Sequence, residues 1–324
     1  MSLQALAAGL SVHPSILGKL DIAQATRALR LTGASTGQPG DDAAALPRRD
    51  GGWDLFAAEG FIPGFVGDDP WFAGWCGVMV NLSDIAAMGG RATAITDMIW
   101  APDADSAAPL LAGLTQAAQA YGVPIVGGHT NLHAPALNLA VAVTGRANAL
   151  ISSFAARAGD ALIAAVDLRG AWRPRFDNWF AAADAPPSRL QGDLALLADL
   201  ADAGLVRAGK DISQGGIVGT SLMLAECSGC GFEIDLAAVP MPPGTDPARW
   251  LRAFPSFGFL LSVAPDRAAE VCARFTARDL AAAVIGQATH GTAIDLRQGI
   301  ERARFWDWQA RPYLGLHANA VTHA

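Results

Sequence analysis

The acidic residues of this chain that could do chemistry stand beside glycines or inside apolar runs. Gly40-Asp41-Asp42-Ala43-Ala44 sets two adjacent carboxylates after a glycine and before small apolar residues, the form of a loop entering a strand. Neighbouring carboxylates repel, so they are either solvated in an exposed turn or share a cation. Glu59 ends a strand-like run, Trp53 to Ala58, and is followed by Gly60. Asp84 lies in Asn81-Leu82-Ser83-Asp84-Ile85-Ala86-Ala87-Met88-Gly89-Gly90, after the apolar, helix-compatible run Phe72 to Val80. A carboxylate buried in such a helix is costly unless a metal, a cation or hydrogen-bond donors compensate it. Taken alone, an Asp there reads first as a cap or turn residue; the other acidic and glycine-rich stretches shift that reading. Asp211 follows Lys210 and opens Asp211-Ile212-Ser213-Gln214-Gly215-Gly216, a loop-to-helix junction. The positive end of a helix favours phosphate at such a place, and a plain N-cap by Ser213 is the competing reading.

Glycine supplies the second chemical signal. Val123 to Val126 reads as a short strand that runs into Gly127-Gly128-His129-Thr130-Asn131. Glycines at a strand end let backbone N–H groups approach a ligand closely, often a phosphate. His129 and His133 are four apart, but without a third ligand nearby they read as loop residues. Cys227-Ser228-Gly229-Cys230 is a lone CxxC and reads as a helix end with a glycine turn. No Ser–His–Asp or Cys–His arrangement competes with the acids.

The elements that must position these groups alternate along the chain. Residues 14–33 read as a surface helix and residues 34–40 as a flexible loop. Pro70 marks the start of the helix that carries Asp84. Thr93 to Trp100 and Leu137 to Arg146 are strand-like, and Ala104 to Tyr121 is an alanine-rich helix. A boundary falls near 148–158, giving expected domains of 1–150 and 151–324. Beyond it come a buried strand, Ala161 to Val166, and a Trp-, Arg- and Pro-rich stretch over 170–188 without a clear assignment. An amphipathic helix over 189–204 follows, then the helix that runs to Ser228. Strands over 257–263, 281–289 and 293–296, and a helix over 265–277, complete the second half. Phe305, Trp306 and Trp308 are expected to pack on the body of the protein.

Bulk composition narrows the class. A chain of 324 residues with 52% hydrophobic residues fits two domains with a sizeable core. A net charge of −7 argues against non-specific binding to nucleic acid or an anionic membrane. The four cysteines form no disulfide framework, which suits a reducing compartment. No signal-like N-terminus and no apolar run of about 18 residues is present, so the expectation is a cytoplasmic protein with no membrane partner.

Together these segments resemble the AIR synthase superfamily over roughly residues 35–295. Gly40-Asp41-Asp42-Ala43-Ala44 resembles the GDDAA segment of the thiamine-monophosphate kinases, and Asn81 to Gly89 resembles their NLSDLAAMGA helix. Asp211-Ile212-Ser213 with Gly215-Gly216 is similar to their second-domain DIS motif, and with Lys210 to the RDxTxGG form of the dikinase and carbamoyl dehydratase branch. The resemblance implies an α+β fold of two domains, the first with a sheet that pairs with its copy in a homodimer. It implies ATP and Mg2+ as cofactors and a small-molecule substrate. Asp41, Asp42, Glu59, Asp84 and Asp211 are then the expected magnesium ligands, and Gly127, Gly128, Thr130, Ser213, Gly215 and Gly216 the expected nucleotide-binding positions. Asp211 and Lys210 are the expected catalytic residues, meeting the same phosphates. The chain departs from the kinases at Ala57-Ala58-Glu59, where they have Ser-Thr-Asp, and at Gly127-Gly128-His129-Thr130, where they have GGDT. The implied function is ATP-dependent activation of a substrate oxygen, as in a kinase or cyclo-ligase. The alternative is a nucleotide-binding partner or scaffold with altered catalysis.

Overall fold

The strand-forming runs of residues 43–150 include two, Trp53–Gly60 and Asn138–Ala147, that alternate buried with more exposed residues, as a half-covered sheet requires. In the computed structural model, which describes residues 1–317, they form β1 (Ala44–Pro47), β2 (Trp53–Gly60), β3 (Arg91–Trp100), β4 (Ile125–Asn131) and β5 (Asn138–Ala147). Their order is β1-β2-β5-β3-β4, antiparallel except for the parallel pair β3–β4. The glycine segment expected as a loop is part of β4, because Gly127 to Asn131 pair with Thr96 to Trp100.

Helix Pro70–Ala87 starts where Asp69 accepts the Phe72 N–H at 3.2 Å and ends at Met88 before the left-handed Gly89. From Phe72 to Ala87 every residue is buried. That degree of burial needs close neighbours on more than one side. Helix Ala104–Tyr121 supplies one through glycine: a Cβ on Gly74 would collide with the Leu110 carbonyl, and one on Gly113 with the Trp71 carbonyl.

The second half builds a larger sheet from β6 (Ala161–Val166), β9 (Ala208–Asp211), β10 (Gly231–Asp235), β12 (Gly258–Val263), β13 (Ala281–Thr289), β14 (Ala293–Gln298) and β15 (Glu301–Asp307). Its order is β15-β14-β10-β13-β6-β12-β9. The unassigned stretch 170–188 forms β7 (Ala171–Trp172) and β8 (Asn178–Phe180), which join β11 (Phe254–Pro255) in a small separate sheet. Trp172, Trp179 and Trp250 meet there edge to face, with centroids 5.4–5.9 Å apart.

The compact units interleave in sequence. One comprises residues 43–150 and 184–199; the other comprises 1–42, 151–183 and the described residues from 200 onward. Helix Leu3–Ser11, which the sequence reading did not assign, places Leu3, Leu6, Ala7 and Leu10 in the core of the larger unit. Phe305, Trp306 and Trp308 are buried there too, as expected of an aromatic tail. Buried Glu226 accepts the backbone N–H groups of Tyr313, Leu314 and Gly315 at 2.6–3.2 Å, which fixes the chain after β15. Among the described residues, no helix is long and apolar enough to cross a membrane.

The glycine contact between the two long helices sets a test. Gly113→Ala forces backbone apart at Trp71 and should cost about 1–3 kcal/mol of stability in urea unfolding, as overpacking does. A loss indistinguishable from zero would show that the helices can separate freely.

Candidate functional site

Within the larger unit, the acids of the first motif and those of the last one meet. Lys210, on β9, is only 4% exposed, and its ammonium is ion-paired with Asp42. It also donates to the Gly40 carbonyl at 3.0 Å and to Ser153 Oγ at 3.5 Å. The second Asp42 oxygen accepts the Asp211 N–H at 3.1 Å. Burial opposes the charge on Lys210, and the Asp42 carboxylate beside it outweighs that cost and holds the ammonium above its ordinary range.

Asp41 points elsewhere. Its carboxylate accepts Ser152 Oγ at 2.9 and 3.2 Å and the Ser153 N–H at 2.5 Å. Burial pushes its carboxyl up to about 6, against the pull of Lys210 and of the bonds from Ser153 and Ser152. Ser153 is itself anchored, donating to the Gly209 carbonyl and accepting at its own carbonyl from Ser228 Oγ at 2.6 Å. Cys227 lies on the same side, 3.6 Å from the Gly40 carbonyl, with its thiol raised by burial to about 12. Such a thiol stays protonated and inert at neutral pH.

Asp211 is 3% exposed, and its carbonyl accepts Thr220 Oγ1 at 3.3 Å. Ser213 does not cap the following helix. Its hydroxyl accepts Lys19 Nζ at 3.3 Å, while Gly215 takes the N-cap position without a side-chain bond. Gly215 and Gly216 have φ of +102° and +62°, and a side chain on Gly216 would strike the Arg252 backbone. The Val218 N–H is bonded to the Leu251 carbonyl at 3.2 Å. The glycine pair therefore lets the 251–252 segment lie against this helix start.

In the smaller unit, Asp84 is 5% exposed in the last turns of helix Pro70–Ala87. Asn81 Nδ2 and Ser83 Oγ donate back to the carbonyls of Gly77 and Met79, four residues earlier, at 2.8 and 3.0 Å. Asn81 Oδ1 is buried with no hydrogen-bond partner among the described residues. Asn81 and Asp84 are three apart and so share a helix face. Asn81 is not among the ligands expected from the sequence; its position three residues before Asp84 was the available signal. Glu59 is exposed at the end of β2, opposite Val141 of β5. Gly127, Gly128 and Thr130 are exposed on the edge strand β4, with Gly128 against the Asp97 carboxyl. Burial raises the Asp97 carboxyl, an acid that the motif reading passed over. His133 is held by a turn, its N–H bonded to Asn131 Oδ1 at 2.9 Å. Among the described residues, no three His, Cys, Asp or Glu side chains converge in a metal-holding group.

Residues 40–147 match the family model described as AIR synthase related protein, N-terminal domain, and residues 174–298 that of the C-terminal domain. An uncharacterized protein of Synechocystis sp. is 46% identical over 93% of this chain and 94% of that protein. A thiamine-monophosphate kinase of Halobacterium salinarum is 30% identical over 66% of this chain and 74% of the kinase. Among solved structures, AaThiL complexed with AMPPCP and TMP superposes with a TM-score of 0.66 at 19% identity, over 88% of this chain and 94% of that one. T. maritima PurL complexed with AMPPCP gives 0.74 at 18% identity over 94% of this chain. This chain spans 50% of the length of that PurL. These structural likenesses show the fold, and they agree with the two-domain α+β class expected from the motifs.

Two outcomes follow from the buried acids. Lys210→Met strands Asp42 as a buried charge and should cost about 3–5 kcal/mol in urea unfolding; a loss below about 1 kcal/mol would mean that water reaches the pair. Asp41 has a folded-state pKa above its ordinary 3.8, so its contribution to stability is full below that value and is lost as pH rises through about 6. Asp41→Asn should flatten the stability change between about pH 4 and pH 6 by roughly 2–3 kcal/mol in the metal-free protein. An unchanged pH profile would show that Asp41 titrates as an ordinary surface carboxylate.

Proposed function

Because this chain belongs to the AIR synthase related family, we propose that it is an ATP- and magnesium-dependent enzyme that activates an oxygen of a small-molecule substrate. The oxygen is either phosphorylated or made a leaving group as phosphate. Similar structures were determined with AMPPCP, and one of them also with TMP, which supports nucleotide binding and a small acceptor.

The observation that carries the reading is the orphaned Asn81 Oδ1 three residues before the buried Asp84. A buried acceptor without a donor, next to a carboxylate on one helix face, suits a hard cation. The remaining donors have the same chemistry: Asp41 and Asp211 in the larger unit, and Glu59 in the smaller one. Magnesium prefers oxygen ligands and is commonly held by one or two carboxylates plus phosphate oxygens, so a cage of three protein acids is not required. When bound with ATP, the ion neutralises phosphate charge and sharpens the terminal phosphorus as an electrophile.

The chain's own residues divide the work. In the smaller unit Asp84 and Glu59 offer carboxylates to a cation, and in the larger unit Asp41 and Asp211 do. Gly127, Gly128 and Thr130 in the smaller unit, and Ser213, Gly215 and Gly216 in the larger, offer backbone and hydroxyl groups suited to a nucleotide. Asp42 and Lys210 act through their ion pair: they set the position of Asp41 and of the Asp211 backbone, so Lys210 is a positioning residue. The open face of the smaller sheet supports a homodimer. Phe56, Ala58, Ala140, Ala142, Thr96 and Met98 lie opposite the buried row of Leu55, Ala57, Val141 and Ile95, and Phe56 is 52% exposed. A second reading, a nucleotide-binding partner with altered catalysis, is favoured by the burial of Lys210 and by His129 in place of an acid.

Calorimetric titration of ATP with and without magnesium tests the main reading. Asp84→Asn should weaken magnesium-dependent binding by about tenfold or more while the fold survives; normal binding by this variant would leave Asp84 as a helix-end residue. Phosphate release in the presence of candidate acceptors separates an enzyme from a binding partner. Light scattering at micromolar concentration should give the mass of a dimer, and a stable monomer there would count against pairing through the open sheet face.

A further inference from the structure

Period-two alternation on β3 calls for an apolar residue at position 97. Ile95 and Ile99, two residues to either side, are fully buried, and so is Val141, the residue of β5 directly opposite. An acid stands there instead. Asp97 is half-buried, burial raises its carboxyl, and its own backbone N–H opposes that shift. Among the described residues no Lys or Arg is paired with it. A carboxylate in such a row costs stability when it is ionised, which points to a use other than packing.

Strand pairing sets what lies beside it. Val141 is opposite both Asp97 of β3 and Glu59 of β2, so Glu59, Val141 and Asp97 form one row on one face of the smaller sheet. Two strand spacings, about 9–10 Å, separate the backbones of the two acids. That span is too long for the carboxylates to touch and short enough for both to reach one hydrated ion; magnesium keeps several of its waters. Helix Pro70–Ala87 crosses the row with Gly77 against the Val141 side chain, and the Gly77 carbonyl is the one that Asn81 Nδ2 bonds. Asn81, with its orphaned Oδ1, is thus one helical turn along from the row. The row continues onto β4. There the register slips between the pairs Ile95–Ile125 and Thr96–Gly127, which leaves Val126 out of the pairing and exposed. This bulge sets Gly128 rather than Gly127 opposite Asp97. Glycine is needed at that point, since a Cβ on Gly128 would stand 2.9 Å from Asp97 Oδ1. His129 pairs with Met98 and falls on the other face.

We infer that Asp97 holds magnesium together with Glu59 across Val141, so that the glycine segment of β4 presents its backbone to phosphate beside a bound cation. This rests on the ATP- and magnesium-dependent reading proposed above and adds a ligand that no motif marks. Gly128 then serves twice. Its missing side chain leaves room for the Asp97 carboxyl, and it leaves the backbone of the edge strand open to an anion. A cation at this row offsets the cost of an ionised acid among buried Ile95, Ile99 and Val141.

The test is calorimetric titration of the full chain with ATP, in magnesium and in EDTA, for the native protein, Asp97→Asn, Glu59→Gln and the double variant, with urea midpoints measured in EDTA. Asp97→Asn should lower ATP affinity about tenfold or more in magnesium and leave it unchanged in EDTA. The double variant should lose little more than the weaker-binding single variant, because both acids serve one ion. The Asp97 carboxyl is raised in the folded state, so its contribution to stability is present below its ordinary range and lost as pH rises. At neutral pH without metal, Asp97→Asn should therefore match or exceed the native urea midpoint. Native magnesium-dependent affinity in Asp97→Asn overturns the inference and leaves the ATP reading standing. A lower urea midpoint, or an equal affinity loss in EDTA, also overturns it, since Asp97 would then be structural. Fully additive losses in the double variant overturn the sharing of one ion. A native protein whose ATP affinity is the same with and without magnesium overturns the magnesium reading and this inference together.

Discussion

The ion pair between Lys210 and Asp42 is the constraint on which the larger unit's site depends. Both side chains are buried, 6% and 5% exposed, so each charge has lost its water. Such a pair persists when its geometry is good and the remaining groups are satisfied. Here Gly40 supplies a carbonyl, Ser153 a hydroxyl and Asp211 an N–H, so that the pair ties residues 40–42, 153 and 210–211 into one arrangement. Asp41 is then turned toward Ser152 and Ser153, and its raised carboxyl is the consequence of that burial. An apolar pair of equal volume could fill the same space. It could not hold the two motifs in one register by directed bonds.

The smaller unit solves a related problem differently. A helix buried along its length must hide its polar side chains or satisfy them. Asn81 and Ser83 do so by donating to carbonyls of the preceding turn, and these back-bonds use donors only. One acceptor is left over, the Asn81 side-chain carbonyl oxygen, on the same helix face as Asp84. A helix built this way leaves an amide oxygen beside a buried carboxylate. The glycines at 74 and 113 matter for the same reason, because they bring the covering helix close enough to seal the apolar part of the surface.

The two chain ends show how a family fold acquires local equipment. Helix Leu3–Ser11 and the residues after β15 bury apolar side chains in the same core cluster. Glu226 then binds three consecutive backbone N–H groups, a set of donors that only a tightly turned segment can direct at one carboxylate. Sequence alone marked neither feature. Glu226 sits in an apolar helix with no charged partner nearby in sequence, and Leu3, Leu6, Ala7 and Leu10 lie in a stretch that the sequence reading left unassigned.

What the sequence determined by itself was local or motif-bound. The helix from Pro70 to its glycine stop, the strands at 161–166 and 281–289, the Cys227–Gly229 helix end and the family all follow from periodicity, turn residues and the order of motifs. Tertiary structure alone decided partners. Whether Lys210 faces a phosphate or Asp42, whether Ser213 caps a helix or receives Lys19, and whether Gly127–Asn131 is loop or strand depend on residues as many as 194 positions away. The physical reason is that backbone propensity acts over a few residues, whereas burial and ion pairing are settled by what the rest of the chain brings alongside. The sequence showed which side chains could carry charge into the core; only the packed chain could choose which opposite charge met them there.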